Sequence, residues 1–310
     1  MTTTAADAGA DAERRELSRG LVGALIAVCA WSTGTVLVAG IDMGGLATGF
    51  YRFALFAVGI VVWMHFAGTP FRLRLLRDSM WGGLALGGDI ALFFSAVKLT
   101  SIVNATIIGA LQPIVVGVVA AKFFGERVRS RDVMWSLIAI AGVFVVVSAA
   151  TGDNHNDWRG DLLAFGAMLT WSAYFIASKH SKNTMTSTEF TAGTAIWVSI
   201  ICLPLGFLLG QDMSWPSWSN WVLLGAMAIS AGVIGHTLMN WSLVRIPLWI
   251  GSTFTLLIPV FSALLAWAFL DEPVTWIQAG AMAVVIGALT AIVHGQQTAP
   301  DATVGAAEAQ

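Results

Sequence analysis

Three ionisable side chains stand within otherwise apolar runs of the sequence and are the first candidates for chemistry: Arg52, Asp89 and His236. A charge at the centre of a bilayer costs roughly 2.5–3.5 kcal/mol on insertion scales, so each needs a compensating role. Asp89 and His236 fall mid-way along their runs, 147 residues apart. A buried carboxyl or imidazole changes protonation state readily with its surroundings. That suits a substrate contact or a proton-linked switch; the plainer alternative is a hydrogen-bonded pair that packs two helices. Asn240, four residues beyond His236, shares its helical face and makes that face polar. Arg52 stands early in its run, close enough to an interface to snorkel. It reads as a structural anchor for backbone carbonyls or for Asp42.

Tryptophan and hydroxyl residues gather in four of the runs: Trp31, Ser32, Thr33 and Thr35; Ser101, Asn104 and Thr106; Trp171, Ser172, Tyr174 and Ser178; Trp249, Ser252, Thr253 and Thr255. Singly, each is an ordinary packing group. A Trp far from the interfacial belt, however, needs a partner for its indole N–H. Trp31 and Trp171 are therefore the expected walls of a substrate cavity. Ser32, Asp89, Asn104, Ser172, Tyr174, His236, Asn240, Trp249 and Ser252 are the other expected lining residues.

Catalysis within the membrane finds little support. There is no H-E-x-x-H metal motif, and the histidines at 65, 155, 180, 236 and 294 are scattered. Leu86-Gly87-Gly88-Asp89 supplies one mid-span acid with no acidic partner. No glycine-rich phosphate loop with lysine occurs. No catalytic residue, cofactor or metal is expected.

The elements that must position these residues follow from composition. Of 310 residues, 57% are hydrophobic and 11% charged, with a mean hydropathy of +0.77, whereas soluble domains carry about 25% charge. The chain reads as an all-α integral membrane protein. A net charge of -2 without a basic stripe excludes a nucleic-acid partner. Cys29 and Cys202 both sit in apolar runs, which excludes a disulfide scaffold.

Runs of about 20 apolar residues predict ten spans, at 20–40, 44–68, 79–98, 100–124, 130–150, 160–180, 188–210, 220–244, 247–270 and 275–294. Residues 1–19 and 295–310 form polar tails. The first tail lacks the apolar core of a signal peptide. With the N-terminus inside, thirteen Lys and Arg lie on the cytoplasmic side, and only Lys98 and Arg159 on the outer side. Both termini are then cytoplasmic. Trp63, Trp81, Trp158, Trp215, Trp218, Trp221 and Trp276 fall at span ends, as an interfacial belt requires.

The two halves, 20–150 and 160–294, repeat in order. Ala30-Trp31-Ser32 matches Thr170-Trp171-Ser172, and Ser95-Ala96-Val97-Lys98 matches Ser242-Leu243-Val244-Arg245. Pro113 and Glu126 match Pro259 and Glu272 at an offset of 146. Five spans per half make the second copy enter from the opposite side. That predicts an inverted repeat with the substrate site between the halves. Pro113, Pro259, Glu126, Glu272 and Arg52 are assigned structural or gating roles. The two glutamates close helices whose C-termini disfavour carboxylates, so Glu126 is expected to pair with neighbouring arginines.

These features resemble the drug/metabolite transporter superfamily, in its EamA-type branch. The matching pieces are Leu111-Gln112-Pro113 to Gly125-Glu126-Arg127, Ile258-Pro259 to Asp271-Glu272-Pro273, and Tyr51-Arg52-Phe53. The resemblance covers about residues 20–294, and within the branch it is nearest to bacterial amino-acid exporters, including the YddG-type aromatic amino-acid exporters. It implies a secondary transporter in the bacterial inner membrane. Such a protein exports amino acids or similar small zwitterionic or neutral metabolites by alternating access, as a monomer or weak homodimer in the lipid bilayer. Export of other metabolites or drugs is the alternative, followed by an intramembrane enzyme. A nucleotide-sugar carrier would need several mid-depth bases, and only Arg52 is present. A cationic-drug antiporter would need an acid in the first span, and none lies between Glu16 and Asp42.

Overall fold

The computed structural model describes residues 5–149 and 157–297. The tail from 298 onward, residues 1–4 and His155 lie outside the described residues. The first half holds α1 (Ala5–Ala39), α2 (Gly45–Phe66), α3 (Arg74–Asp78), α4 (Met80–Ala96), α5 (Ile102–Gly109), α6 (Gln112–Phe123) and α7 (Ser130–Ser148). The second holds α8 (Trp158–Ser181), α9 (Ser187–Leu208), α10 (Trp218–Met227), α11 (Thr237–Leu243), α12 (Leu248–Phe254), α13 (Ile258–Phe269) and α14 (Trp276–Gln297). A π-helix, Ala228–His236, joins α10 to α11, and a 3₁₀ turn, Thr255–Leu257, joins α12 to α13.

Among the described residues, nine continuous or composite helices are long and apolar enough to cross a membrane. A tenth apolar helix, α4, has 17 residues. Helix α1 departs from the sequence reading, because it begins at Ala5 and runs through most of the expected tail. Hydropathy finds the membrane stretch alone, but alanines, glutamates and arginines propagate a helix in water as well. Arg19 and Glu16 add an i,i+3 pair at 2.7 Å.

Spans four and nine are broken at equivalent points. Proline begins α6 and α13, at Pro113 and Pro259. It is tolerated in a first turn, whereas deeper in a helix it would remove a backbone hydrogen bond. Across the break, the Thr255 hydroxyl donates to Gln112 Oε1 at 2.9 Å, and Ser32 Oγ lies 3.2 Å from the Ile258 carbonyl oxygen.

The halves interlock. Helix α4 packs on α8 and α9, while the span from α10 to α11 packs on α1 and α2. Gly82, Gly83 and Gly87 of α4 lie so close to Phe190, Trp197 and Ile201 of α9 that a Cβ at any of them would overlap. Such small-residue faces give membrane helices close van der Waals contact. Each half also caps a helix of the other. Gln211 Oε1 accepts from the Leu46 and Ala47 N–H groups at 2.8 and 3.3 Å. Glu126 accepts from the Leu248 and Trp249 N–H groups at 2.7 and 3.2 Å.

That Glu126 contact corrects the expected pairing with arginines. Its cationic neighbour is Lys179, at 3.7 Å, and both side chains are about nine-tenths buried. The Lys179 ammonium also donates to the Ile246 carbonyl at 2.6 Å. A carboxylate that would be unfavourable at its own helix's C-terminus is favourable at another helix's N-terminus. The end of span four thus meets the start of span nine, so the two repeat-equivalent spans run antiparallel. The opposite end differs: Glu272 is exposed, and Asp271 beside it adopts φ 55°. Helix α6 packs on α12, whereas the equivalent pair, α5 and α13, make at most marginal contact.

Six of the seven tryptophans expected at span ends are at least 58% exposed. Trp221 is the exception. It packs against Trp215 and Tyr51 with ring centroids 4.9 and 5.4 Å apart.

Candidate functional site

Trp31 of α1 and Trp171 of α8 meet edge to face, with ring centroids 5.2 Å apart. His236, the last residue of the π-helix, lies 5.3 Å from Trp31 and 6.2 Å from Trp171. Tyr174 stacks on Trp171 at 5.4 Å and 22°. Phe175 lies 5.1 Å from Trp171, while Phe53 and Phe56 of α2 lie 5.6 and 6.2 Å from His236. This aromatic cluster draws on both halves, and the i,i+3 and i,i+4 spacing of α8 places Trp171, Tyr174, Phe175 and Ser178 together.

A hydrogen-bonded chain runs behind the rings. Asn240 Nδ2 donates to the Tyr174 hydroxyl and to Thr191 Oγ1, both at 2.8 Å. Ser178 Oγ donates to Asn240 Oδ1 at 2.7 Å. Tyr174 Oη and His236 Nδ1 are 3.2 Å apart. Since Asn240 donates into the phenol oxygen, the phenol proton is free for Nδ1, which the Nε2–H tautomer of His236 accepts. Every polar atom of Asn240 is satisfied, and such a network fixes a core in one arrangement. The Trp31 indole N–H is different: it is buried and has no hydrogen-bond partner among the described residues. It lies against Gly235, where a Cβ would come within 2.6 Å of Nε1. π-Helical turns recur at functional sites because they re-aim side chains and loosen the backbone ladder.

Arg52 and Asp89 border this cluster. Each is half-buried and lies within electrostatic range of the other, and Arg52 is also within range of His236 and Cys202. The guanidinium sits 4.6 Å from the Phe53 ring centroid, a cation–π contact. Among the described residues Arg52 makes no hydrogen bond to a backbone carbonyl and no ion pair with Asp42, and the Asp42 amide faces Asn220 Oδ1 at 3.4 Å.

Other expected cavity residues lie elsewhere. Ser32 and Ser172 are fully buried and donate to the carbonyls of Val28 and Met168, both at 2.7 Å. A serine in a helix reaches the i−4 carbonyl readily, and in a dry setting that bond outcompetes an outward pose. Asn104 lies in the first turn of α5, with its Nδ2 3.4 Å from both Thr100 Oγ1 and Asp161 Oδ1. Trp249 is at the Glu126 end of the bundle, and the buried Ser252 donates to its carbonyl at 2.7 Å. Pro113 and Pro259 are at the two span breaks.

Sequence reading overlooked Lys179 as a partner of Glu126, and it overlooked Thr191, Phe53, Phe56 and the contact of Gln112 with Thr255. Only Gln112 carried a signal, through its place beside the repeated proline.

The halves described here have a counterpart among known proteins. The profile of the EamA-like transporter family matches residues 18–148 and 158–293. This chain belongs to that family. As an EamA-like transporter it is a multi-pass membrane protein with duplicated halves, and not an enzyme. It is 26% identical over 236 residues to the threonine/homoserine exporter RhtA of Escherichia coli (strain K12), covering 75% of this chain and 77% of that protein. It is 28% identical over 154 residues to the aromatic amino acid exporter YddG of Ancylobacter novellus, covering 49% of this chain and 52% of that one. A solved crystal structure superposes with a TM-score of 0.78 at 21% identity, over 91% of this chain and 99% of the other. That likeness establishes the fold.

Proposed function

We propose that this EamA-like transporter is a secondary carrier that exports amino acids, or similar small zwitterionic or neutral metabolites, across the bacterial inner membrane. The observation that carries the reading is the meeting of Trp31 with Trp171 and His236, ring against ring, between equivalent spans of the two halves. Indole faces suit an aliphatic or aromatic side chain, and the site lies where inverted-repeat carriers bind their solutes. The halves form an inverted repeat, with both termini cytoplasmic and the Glu126 end facing the cytoplasm. Alternating access is a rocking of one half against the other. The exporter names of the relatives point the same way.

The test is counterflow in proteoliposomes made with the full chain. Vesicles preloaded with an unlabelled amino acid should transiently accumulate the labelled form, for at least one apolar or hydroxyl-bearing α-amino acid. If none of the twenty accumulates while organic cations or sugars do, the substrate class is wrong.

A further inference from the structure

We infer that Arg52 and Asp89 form the head-group subsite of the carrier, with the guanidinium taking the carboxylate of an α-amino acid and Asp89 taking its ammonium. The inference rests on the amino-acid reading above and adds the groups that recognise the zwitterion.

The geometry begins with helix approach. At Gly49 of α2, a Cβ would lie 3.2 Å from both Ile90 Cγ2 of α4 and Cys202 Sγ of α9. Three helices therefore converge at one level. Arg52 is one turn beyond Gly49, and Asp89 directly precedes Ile90. Arg52 and Asp89 therefore flank the same junction of α2 and α4. They form no ion pair, and neither side chain has a hydrogen bond within the described residues. Both side chains remain half-buried.

An arginine and a carboxyl group left without partners inside a bundle are costly to desolvate. A structural pair would have closed to a bidentate contact, since arginine and carboxylate match in shape. A packing role would have given Asp89 a hydroxyl or amide donor, as Asn240 has found in the chain behind Tyr174. An α-amino acid resolves both charges at once. Its carboxylate fits the guanidinium fork, its ammonium fits Asp89, and the net charge of the site is unchanged on binding. The Phe53 ring, which lies under the guanidinium, also faces His236. The zwitterion subsite thereby adjoins the aromatic cluster that would hold the side chain. A solute with only one of the two charges leaves the other protein charge buried and uncompensated, so the pair discriminates by penalty as well as by attraction.

The experiment is competition for counterflow of labelled L-phenylalanine in proteoliposomes. Two competitors are compared with unlabelled phenylalanine: its amide, which lacks the carboxylate, and 3-phenylpropionate, which lacks the ammonium. In the unaltered protein each should compete roughly ten- to hundredfold more weakly, the worth of one charge-assisted bond. Asp89→Asn should raise the apparent KM for phenylalanine by a similar factor and narrow the gap to phenylpropionate alone. Arg52→Gln should narrow the gap to the amide alone, and Arg52→Lys should fall between.

Equal competition by all three compounds in the unaltered protein would overturn the inference without requiring any variant to fold. So would variants that weaken all three by one common factor, which marks a role in folding or gating. If labelled phenylalanine shows no counterflow but threonine does, the same series is run with threonine, its amide and 3-hydroxybutyrate. Failure of every α-amino acid would remove the proposed function and this subsite with it. Amino-acid counterflow with unselective competition removes the subsite alone.

Discussion

At the scale of single residues, the site divides into groups that are satisfied and groups that are not. Asn240, Ser178 and Thr191 complete one another's hydrogen bonds, so they hold Tyr174 and His236 in place. Tyr174→Phe removes the acceptor for Asn240 and the partner of His236 together, and should lower stability by about 1–3 kcal/mol. A thermal-shift measurement in detergent reads this directly. Trp171 plays a different part, because its ring is half-buried and shares its faces among Trp31, Tyr174 and Phe175. Trp171→Ala should weaken counterflow of large apolar amino acids by up to about tenfold relative to small ones, the worth of an aromatic contact. Trp171→Phe should be milder. An equal loss for every substrate would show that the ring supports the fold. Sequence alone located both tryptophans, through the repeated Trp-Ser pair. The serines that follow them turn their hydroxyls back to the i−4 carbonyl, which a helix periodicity does not reveal because it gives only the face of a residue.

At the scale of elements, the spans were legible because a bilayer demands long apolar runs, and the proline breaks were legible because proline has few places to sit. The π-helix was not: Ala228–His236 reads as an ordinary apolar helix, and only packing against α1 and α2 reveals the wider turn. The pairing of Glu126 was equally hidden, since its partners lie 122 residues away or more along the chain for the backbone amides. These contacts tie α6 to α12 at the Glu126 end of the bundle. Glu126→Gln keeps the shape but removes the charge, and should shift the balance toward opening at that end by about 1–2 kcal/mol, the difference between charged and neutral hydrogen bonds. Spin labels at Phe123 and Val244, both exposed, should report a larger population at long distance in the variant. An unchanged distance distribution would mean that other contacts hold this end closed.

At the scale of the whole molecule, the duplication gives two halves of one pattern with unequal details. Orientation in the membrane decides which end of the bundle faces the cytoplasm. With Cys29 and Cys202 replaced, a single cysteine at Ser219 should react with an impermeant thiol reagent added to intact cells. One at Asn183 should react only after the cells are opened. Both positions are exposed in loops or a helix start, so the readout is accessibility across the membrane and not burial in the protein. The reverse pattern would turn the carrier over.

The shortness of α4 has a consequence for the surrounding lipid. At about 1.5 Å per residue, its 17 residues span about 26 Å, less than the roughly 30 Å of a bilayer's hydrocarbon. The equivalent span of the other half, Trp218–Leu243, has 26 residues. The molecule therefore presents a low wall on one side and a tall one on the other. Where α4 borders lipid, the bilayer would dip toward Trp81, which is 72% exposed at the helix start, while lipid beside the longer span would stretch or let that helix lean. Such a mismatch costs fractions of a kcal/mol per ångström. It is enough to gather shorter acyl chains around one flank, so the annulus of this protein should be lopsided in composition as well as in height.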